Sequence, residues 1–173
     1  MIKKQRTIPA NSLLNKDEAA FHYVDSFQIS ISDKNGDLNI SQMIALYMAS
    51  GPKWADQLMD VRNKIGGLFS LKTADTQQDV PTQEAIENCQ PGDTLGIFKV
   101  YAKTNQEYVL GENDKHLNFR ASFLLSPSPT DKEKQIFSIT TAVHFNNAMG
   151  KMYFLPVKPF HGLIIRSTLK KME

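Results

Sequence analysis

The stretch His116-Leu-Asn-Phe-Arg-Ala-Ser-Phe-Leu-Leu125 decides the fold. Leu117, Phe119, Ala121, Phe123 and Leu125 fall on one side of an extended chain, and His116, Asn118, Arg120 and Ser122 fall on the other. A period of two carried by large apolar residues predicts a strand with one face toward a core and one polar face. Working outward, Gln135 to Asn146 reads as the next strand after the turn Pro127-Ser128-Pro129, with Ser138, Thr140, Ala142 and His144 sharing a face. Upstream, Glu107 to Leu110 precedes it across the turn Gly111-Glu112-Asn113-Asp114. Thr94 to Ala102 joins that strand through Thr104-Asn105. Turns this short between strands make antiparallel hairpins.

Nearer the start, His22 to Ser32 also alternates, with Tyr23, Phe27, Ile29 and Ile31 on one face together with Asp25. Asp33-Lys34-Asn35-Gly36-Asp37 offers oxygens at the first, third and fifth positions of a calcium loop. Leu38 and Ile44 then stand where such a loop needs glycine and a bidentate glutamate, so the segment reads as a turn. Asn39 with Gln42 forms a capping box for a short helix with Met43, Ile44, Tyr47 and Met48 as its apolar stripe. A second short helix follows Pro52, with Trp54, Leu58, Val61 and Ile65 at helical spacing and Gly66-Gly67 as its stop. Residues 70–93 read as a loop with a helical turn around Glu84 to Asn88. Ala148 to Met172 closes the chain as a long helix, with Met149, Met152, Tyr153, Phe160, Leu163 and Ile164 at helical spacing. Pro156 and Pro159 are expected to kink or split it. Strand, two short helices, antiparallel strands and a long helix make an α+β fold with the helix on one sheet face. Residues 1–20 read as an N-terminal arm and 21–173 as a single domain.

The formal charge is +2, from 20 basic and 18 acidic residues. So small an excess makes no case for nucleic acid or for an anionic membrane. The basic N-terminal residues lack an apolar stretch behind them, so no signal peptide is read. No run of about 18 apolar residues occurs, which predicts no membrane insertion. Cys89 is the single cysteine, so no intrachain disulfide can form; a reducing, cytoplasmic setting is expected.

Three stretches carry a family resemblance: Trp54-Ala-Asp-Gln-Leu-Met-Asp-Val-Arg62-Asn63; Leu110-Gly-Glu-Asn-Asp114-Lys-His116-Leu-Asn-Phe119-Arg120; and Thr140-Thr-Ala-Val-His144, continuing through Asn146 and Gly150-Lys-Met-Tyr153 to Pro159-Phe160-His161. Together they resemble a domain-of-unknown-function family, family 2867, within the START-like or SRPBCC helix-grip superfamily. The resemblance runs from about Tyr23 to the C-terminus. It implies a curved antiparallel sheet gripping the last helix, with an apolar cavity between them. Superfamily members use that cavity to bind lipids, sterols, polyketides or plant hormones, and some catalyse cyclisation or dehydration. Relatives can carry a nicotinamide-binding domain, but this chain has no G-x-G-x-x-G fingerprint, so that chemistry and its cofactor do not transfer.

On that reading Phe119 and Phe123 face the cavity, and Tyr153 either reaches into it with its hydroxyl or simply packs. His116, Arg120 and His144, with Asp114 nearby, form the one histidine–acid–arginine grouping the sequence offers. Arginine would clamp a carboxylate and the histidines would act as acid or base. Arg62 and Asn63, on the second short helix, would orient a molecule at the cavity mouth. Strand alternation places His116 and Arg120 on the face away from the cavity, which sets the catalytic and the cavity readings against each other. No zinc-like ligand spacing appears and no metal or cofactor is expected. Cys89 has no partner motif and no nucleophilic role. The expected partner is a small hydrophobic or amphipathic molecule. A cyclase or dehydratase on the same scaffold is the first alternative, and a dimeric scaffold without a cavity is the second, with a homodimer through the sheet edge or outer face.

Overall fold

A computed structural model describes residues 1–52, 54 and 80–173. Among the described residues seven strands form one antiparallel sheet in the order β1-β2-β7-β6-β5-β4-β3. They are β1 (Lys3–Gln5), β2 (Tyr23–Ser32), β3 (Thr94–Leu95), β4 (Phe98–Lys103), β5 (Glu107–Asn113), β6 (Leu117–Pro127) and β7 (Lys134–Phe145). From β3 to β7 the chain meanders, each strand pairing with the one before it. β2 then lies beside β7, with Tyr23 opposite Val143 and Ser32 opposite Lys134. The sheet is an α+β, helix-grip arrangement completed by α1 (Ile40–Ala49), α2 (Gln83–Asn88) and α3 (Ala148–Met172).

The strand predicted over Thr94 to Ala102 is two strands. Gly96 takes a left-handed φ of 59° at the first position of a two-residue loop, which reverses the chain so that Leu95 pairs with Phe98. The capping box of α1 is present in both halves: Asn39 accepts from the Gln42 amide, and Gln42 accepts from the Asn39 amide. The 33–37 segment is a turn, with the Asp33 carboxylate accepting from the Leu38 amide. The helical turn near Glu84 is α2, capped by the Thr82 hydroxyl. The second short helix, with Arg62 and Asn63, lies outside the described residues apart from Trp54.

One sheet face is apolar and covered by helices. Phe27, Ile29, Tyr108, Leu110, Phe123, Leu125, Phe137 and Ile139 meet Met43 and Ile44 of α1, Ile86 of α2, and Ile165 and Leu169 of α3 in one buried cluster. The alternation read in His116 to Leu125 holds here, since Ala121, Phe123 and Leu125 all join that cluster. At the sheet centre Phe123 stacks on Phe137, and Ile165 and Leu169 of α3 are essentially inaccessible.

The opposite face is covered too, by the N-terminal segment. β1 adds to the β2 edge, and a 3-10 stretch, Leu13–Ala20, crosses the outer surface. Ile8 and Leu14 pack on Val109 and Ala142 there. Beneath them the buried Glu107 carboxylate accepts from the Ser12 hydroxyl (2.5 Å), the Ser122 hydroxyl (2.5 Å) and the Leu13 amide (2.7 Å). The residues read from sequence as an arm therefore contribute a strand and a cover to the sheet. The terminal ammonium of Met1 pairs with Glu173.

α3 is a single 25-residue helix, which Pro156 and Pro159 do not split. Both prolines lie on its exposed side. There the carbonyls of Met152 and Leu155, which lose their usual N–H partners, remain next to water.

Candidate functional site at the sheet edge

The residues singled out from sequence are held in separate places. His116 is buried at the end of the β5–β6 hairpin, with Nδ1 3.1 Å from Asn147 Oδ1. That same oxygen caps α3 by accepting from the Gly150 amide. Asn146 donates to the Asp114 carbonyl (2.7 Å) and to Asn118 (3.2 Å). A Cβ on Gly150 would lie 2.1 Å from the His116 carbonyl oxygen, so the first turn of α3 can approach this hairpin only without a side chain. Two of the three family stretches thus meet at a structural junction that anchors the start of α3.

Arg120 stacks on Tyr101, its Cζ 3.5 Å from the ring centre, and bonds the Phe119 carbonyl and Asn113. Its guanidinium fills the space beside Gly111, where a Cβ would meet it at about 3 Å. His144 bonds the Ala20 carbonyl (2.5 Å), and its ring lies 4.5 Å from that of His22. Phe119 meets Phe98 edge-on, Phe123 belongs to the central core, and Tyr153 is buried beside Leu117, Val143 and Phe154. His116, Arg120 and His144 do not converge on a common point, and Arg62 lies outside the described residues. The Cys89 thiol bonds the Ile86 carbonyl and burial raises its pKa, which leaves it a protonated, weakly nucleophilic group.

A different set of residues surrounds an open cleft of about 290 Å³, where α3 passes the β1–β2 edge. Lys4 of β1, Tyr23 and Phe27 of β2, and Lys158, Pro159, Gly162, Leu163 and Arg166 of α3 line it. Two rings form the floor and three cations stand over them. Lys158 Nζ is 4.8 Å from the Tyr23 ring centre; Lys4 Nζ and the Arg166 guanidinium are 5.0 and 5.5 Å from that of Phe27. Alternation along β2 puts Tyr23, Asp25 and Phe27 on the helix-facing side.

Between the two floor rings lies Asp25, almost wholly buried. One of its oxygens accepts from the Tyr23 hydroxyl (2.7 Å) and lies 3.7 Å from Lys4 Nζ; the other, Oδ1, has no hydrogen-bond partner among the described residues. Burial, and then the bond to Asp25, raise the Tyr23 phenol far above its ordinary range, so it stays a donor. The His161 ring bonds Thr141 (2.8 Å) close by. Burial lowers its pKa, Asp25 opposes that and Lys4 reinforces it, which leaves a neutral imidazole at neutral pH. Three cations against one buried carboxylate leave the cleft with a formal excess of two positive charges.

The cleft can therefore hold an anionic group above an aromatic floor. One sign of it was legible in sequence: Asp25 is a carboxylate on the apolar side of its strand. Lys4, Lys158 and Arg166 carried no such sign, because only the pairing of β1 with β2 and the path of α3 bring them together. Among the described residues no group of three or more His, Cys, Asp or Glu is placed to hold a metal ion, and no helix is long and apolar enough to cross a membrane.

None of the curated proteins matches this chain. Residues 19–168 match a family described as "Protein of unknown function (DUF2867)", a match that takes in the sheet from β2 onward, α1, α2, α3 as far as Thr168 and every cleft residue except Lys4. The chain belongs to the DUF2867 family.

Proposed function

We propose that the chain is a binding module for a small amphipathic molecule, held between the sheet and the C-terminal helix with its anionic end on Lys158 and Arg166. The observation that carries this reading is the cleft itself: three cations face one opening above the rings of Tyr23 and Phe27. Paired apolar and charged surfaces are what orient a small molecule in a shallow site. Arginine and lysine over ring faces keep part of their charge directed outward, toward an incoming carboxylate or phosphate. The volume suits about ten non-hydrogen atoms at the ~30 Å³ that a water occupies in the liquid. A cytoplasmic setting fits a lone, buried thiol.

Calorimetric titration with octanoate and with 1-octanol, equal in chain length, tests the reading. Octanoate binds with a dissociation constant below about 1 mM, and at least tenfold tighter than the alcohol. Lys158→Ala with Arg166→Ala removes that preference. Equal affinity for the two probes, or undiminished octanoate binding by the double variant, would show that the cleft is not an anion site.

A further inference from the structure

Asp25 stands on the helix-facing side of β2, between the two residues whose rings floor the cleft, and is 1% exposed. Its Oδ2 accepts from the Tyr23 hydroxyl at 2.7 Å. Its Oδ1 is closed to water and has no hydrogen-bond partner among the described residues. A buried carboxylate oxygen left in that condition is costly, and native folds keep few of them. The hydroxyls nearest to it are already engaged. Tyr23 donates to Oδ2, and Thr141, opposite Asp25 on β7, is bonded to His161 at 2.8 Å. Lys4 Nζ is 3.7 Å from Oδ2, which is longer than a hydrogen bond. The fold thus provides an acceptor at the base of the cleft and leaves its donor to come from elsewhere.

We infer that the molecule taken by the cleft is a hydroxy acid with an apolar body, its hydroxyl on C2 or C3 donating to Asp25 Oδ1. This rests on the anion reading above and names the ligand class within it. Charge selects the donor. Lys4, Lys158 and Arg166 already face the opening, so an ammonium would be a fourth cation among them, whereas a hydroxyl donates without that repulsion. A hydroxyl also needs only the one acceptor, while a buried water needs two to four polar partners. Access runs past Lys4. Its partly exposed side chain borders both the cleft and Asp25, and it can turn toward an incoming carboxylate without breaking a hydrogen bond to Asp25. Lys4 then touches the carboxylate while its neighbour Asp25 takes the hydroxyl. That adjacency is what places the hydroxyl close to the anionic end, with the alkyl chain left to the Tyr23 and Phe27 rings.

Calorimetric titration with octanoate and with its 2-hydroxy, 3-hydroxy and 8-hydroxy derivatives, the first two as separate enantiomers, tests this. One enantiomer of the 2- or 3-hydroxy acid should bind at least tenfold tighter than octanoate, the gain expected of a bond to a charged acceptor. The 8-hydroxy acid, with its hydroxyl at the far end, should bind no tighter than octanoate. Asp25→Ala should reduce the gain to less than threefold and leave octanoate binding in place. If that variant does not fold, the four acids on the parent protein decide alone. Octanoate binding that neither near-end hydroxyl improves would overturn the inference and leave the anion site standing. A gain that survives in Asp25→Ala, or that the 8-hydroxy acid shares, would overturn it as well. Binding of none of the four acids would remove the anion site and this inference together.

Discussion

Replacing Glu107 by alanine should release the N-terminal cover from the sheet. The carboxylate accepts two hydroxyls and one amide, and Ser122 and Glu107 are almost fully buried. Bonds to a charged acceptor contribute about 1.5–3 kcal/mol each, and donors left buried without a partner add to the loss. Against this, removing a buried carboxylate recovers part of its desolvation cost. The net expectation is a destabilisation of about 2–4 kcal/mol, or a midpoint lower by roughly 5–15 °C for a chain of this length. Glu107→Gln keeps one acceptor oxygen and should lose about half as much. Urea unfolding followed by circular dichroism gives the magnitude, and limited proteolysis gives the location, because cleavage between residues 6 and 20 should quicken in the alanine variant. Stability within about 0.5 kcal/mol of the parent, with the segment still protected, would refute the view that this carboxylate pins the cover.

Gly150→Ala drives a methyl into the His116 carbonyl and should cost about 1–3 kcal/mol by overpacking, read from the urea midpoint, while Gly36→Ala, where nothing lies within 4 Å but φ is +70°, should cost only about 1 kcal/mol of backbone strain. The His161 imidazole has a pKa lowered by burial, so the unfolded chain takes up its proton first as pH falls through about 6.5. Its contribution to stability is therefore fully present above that pH and declines below it. His161→Gln should flatten the fall in thermal midpoint between pH 6.5 and 5, and an unchanged profile would exclude His161 as its source. Lys4→Ala removes the cation 3.7 Å from the buried Asp25 and should lower stability by about 1–2 kcal/mol, a loss that Asp25→Asn in the same chain largely restores.

The strands were legible wherever alternation is clean. His116 to Leu125 and His22 to Ser32 bury every second residue against helices, and such a pattern has no other reading. Thr94 to Ala102 was misread as one strand because Gly96 reverses the chain within an otherwise apolar run, and a lone glycine in such a run signals only an irregularity. The N-terminal segment looked like an arm because its cover is held by Glu107 and Ser122, partners about 100 residues away that no local pattern announces. The site was less legible than the fold. His116, Arg120 and His144 drew attention as chemical groups, yet each is engaged in bonds that fix a helix start, a strand edge or the cover. The overall charge of +2 hid a segregation that matters more than the sum, since α3 holds five cations and no anion.

The central claim is that a small amphipathic anion sits over Tyr23 and Phe27 at the sheet edge. Chemical-shift mapping with octanoate on labelled protein tests it most directly. The largest shifts should fall on Tyr23, Phe27, Gly162 and Arg166, the cleft residues. Shifts concentrated instead on Phe119, Phe123 and Tyr153, beneath α3 and along β6, would place the molecule inside the fold and contradict it.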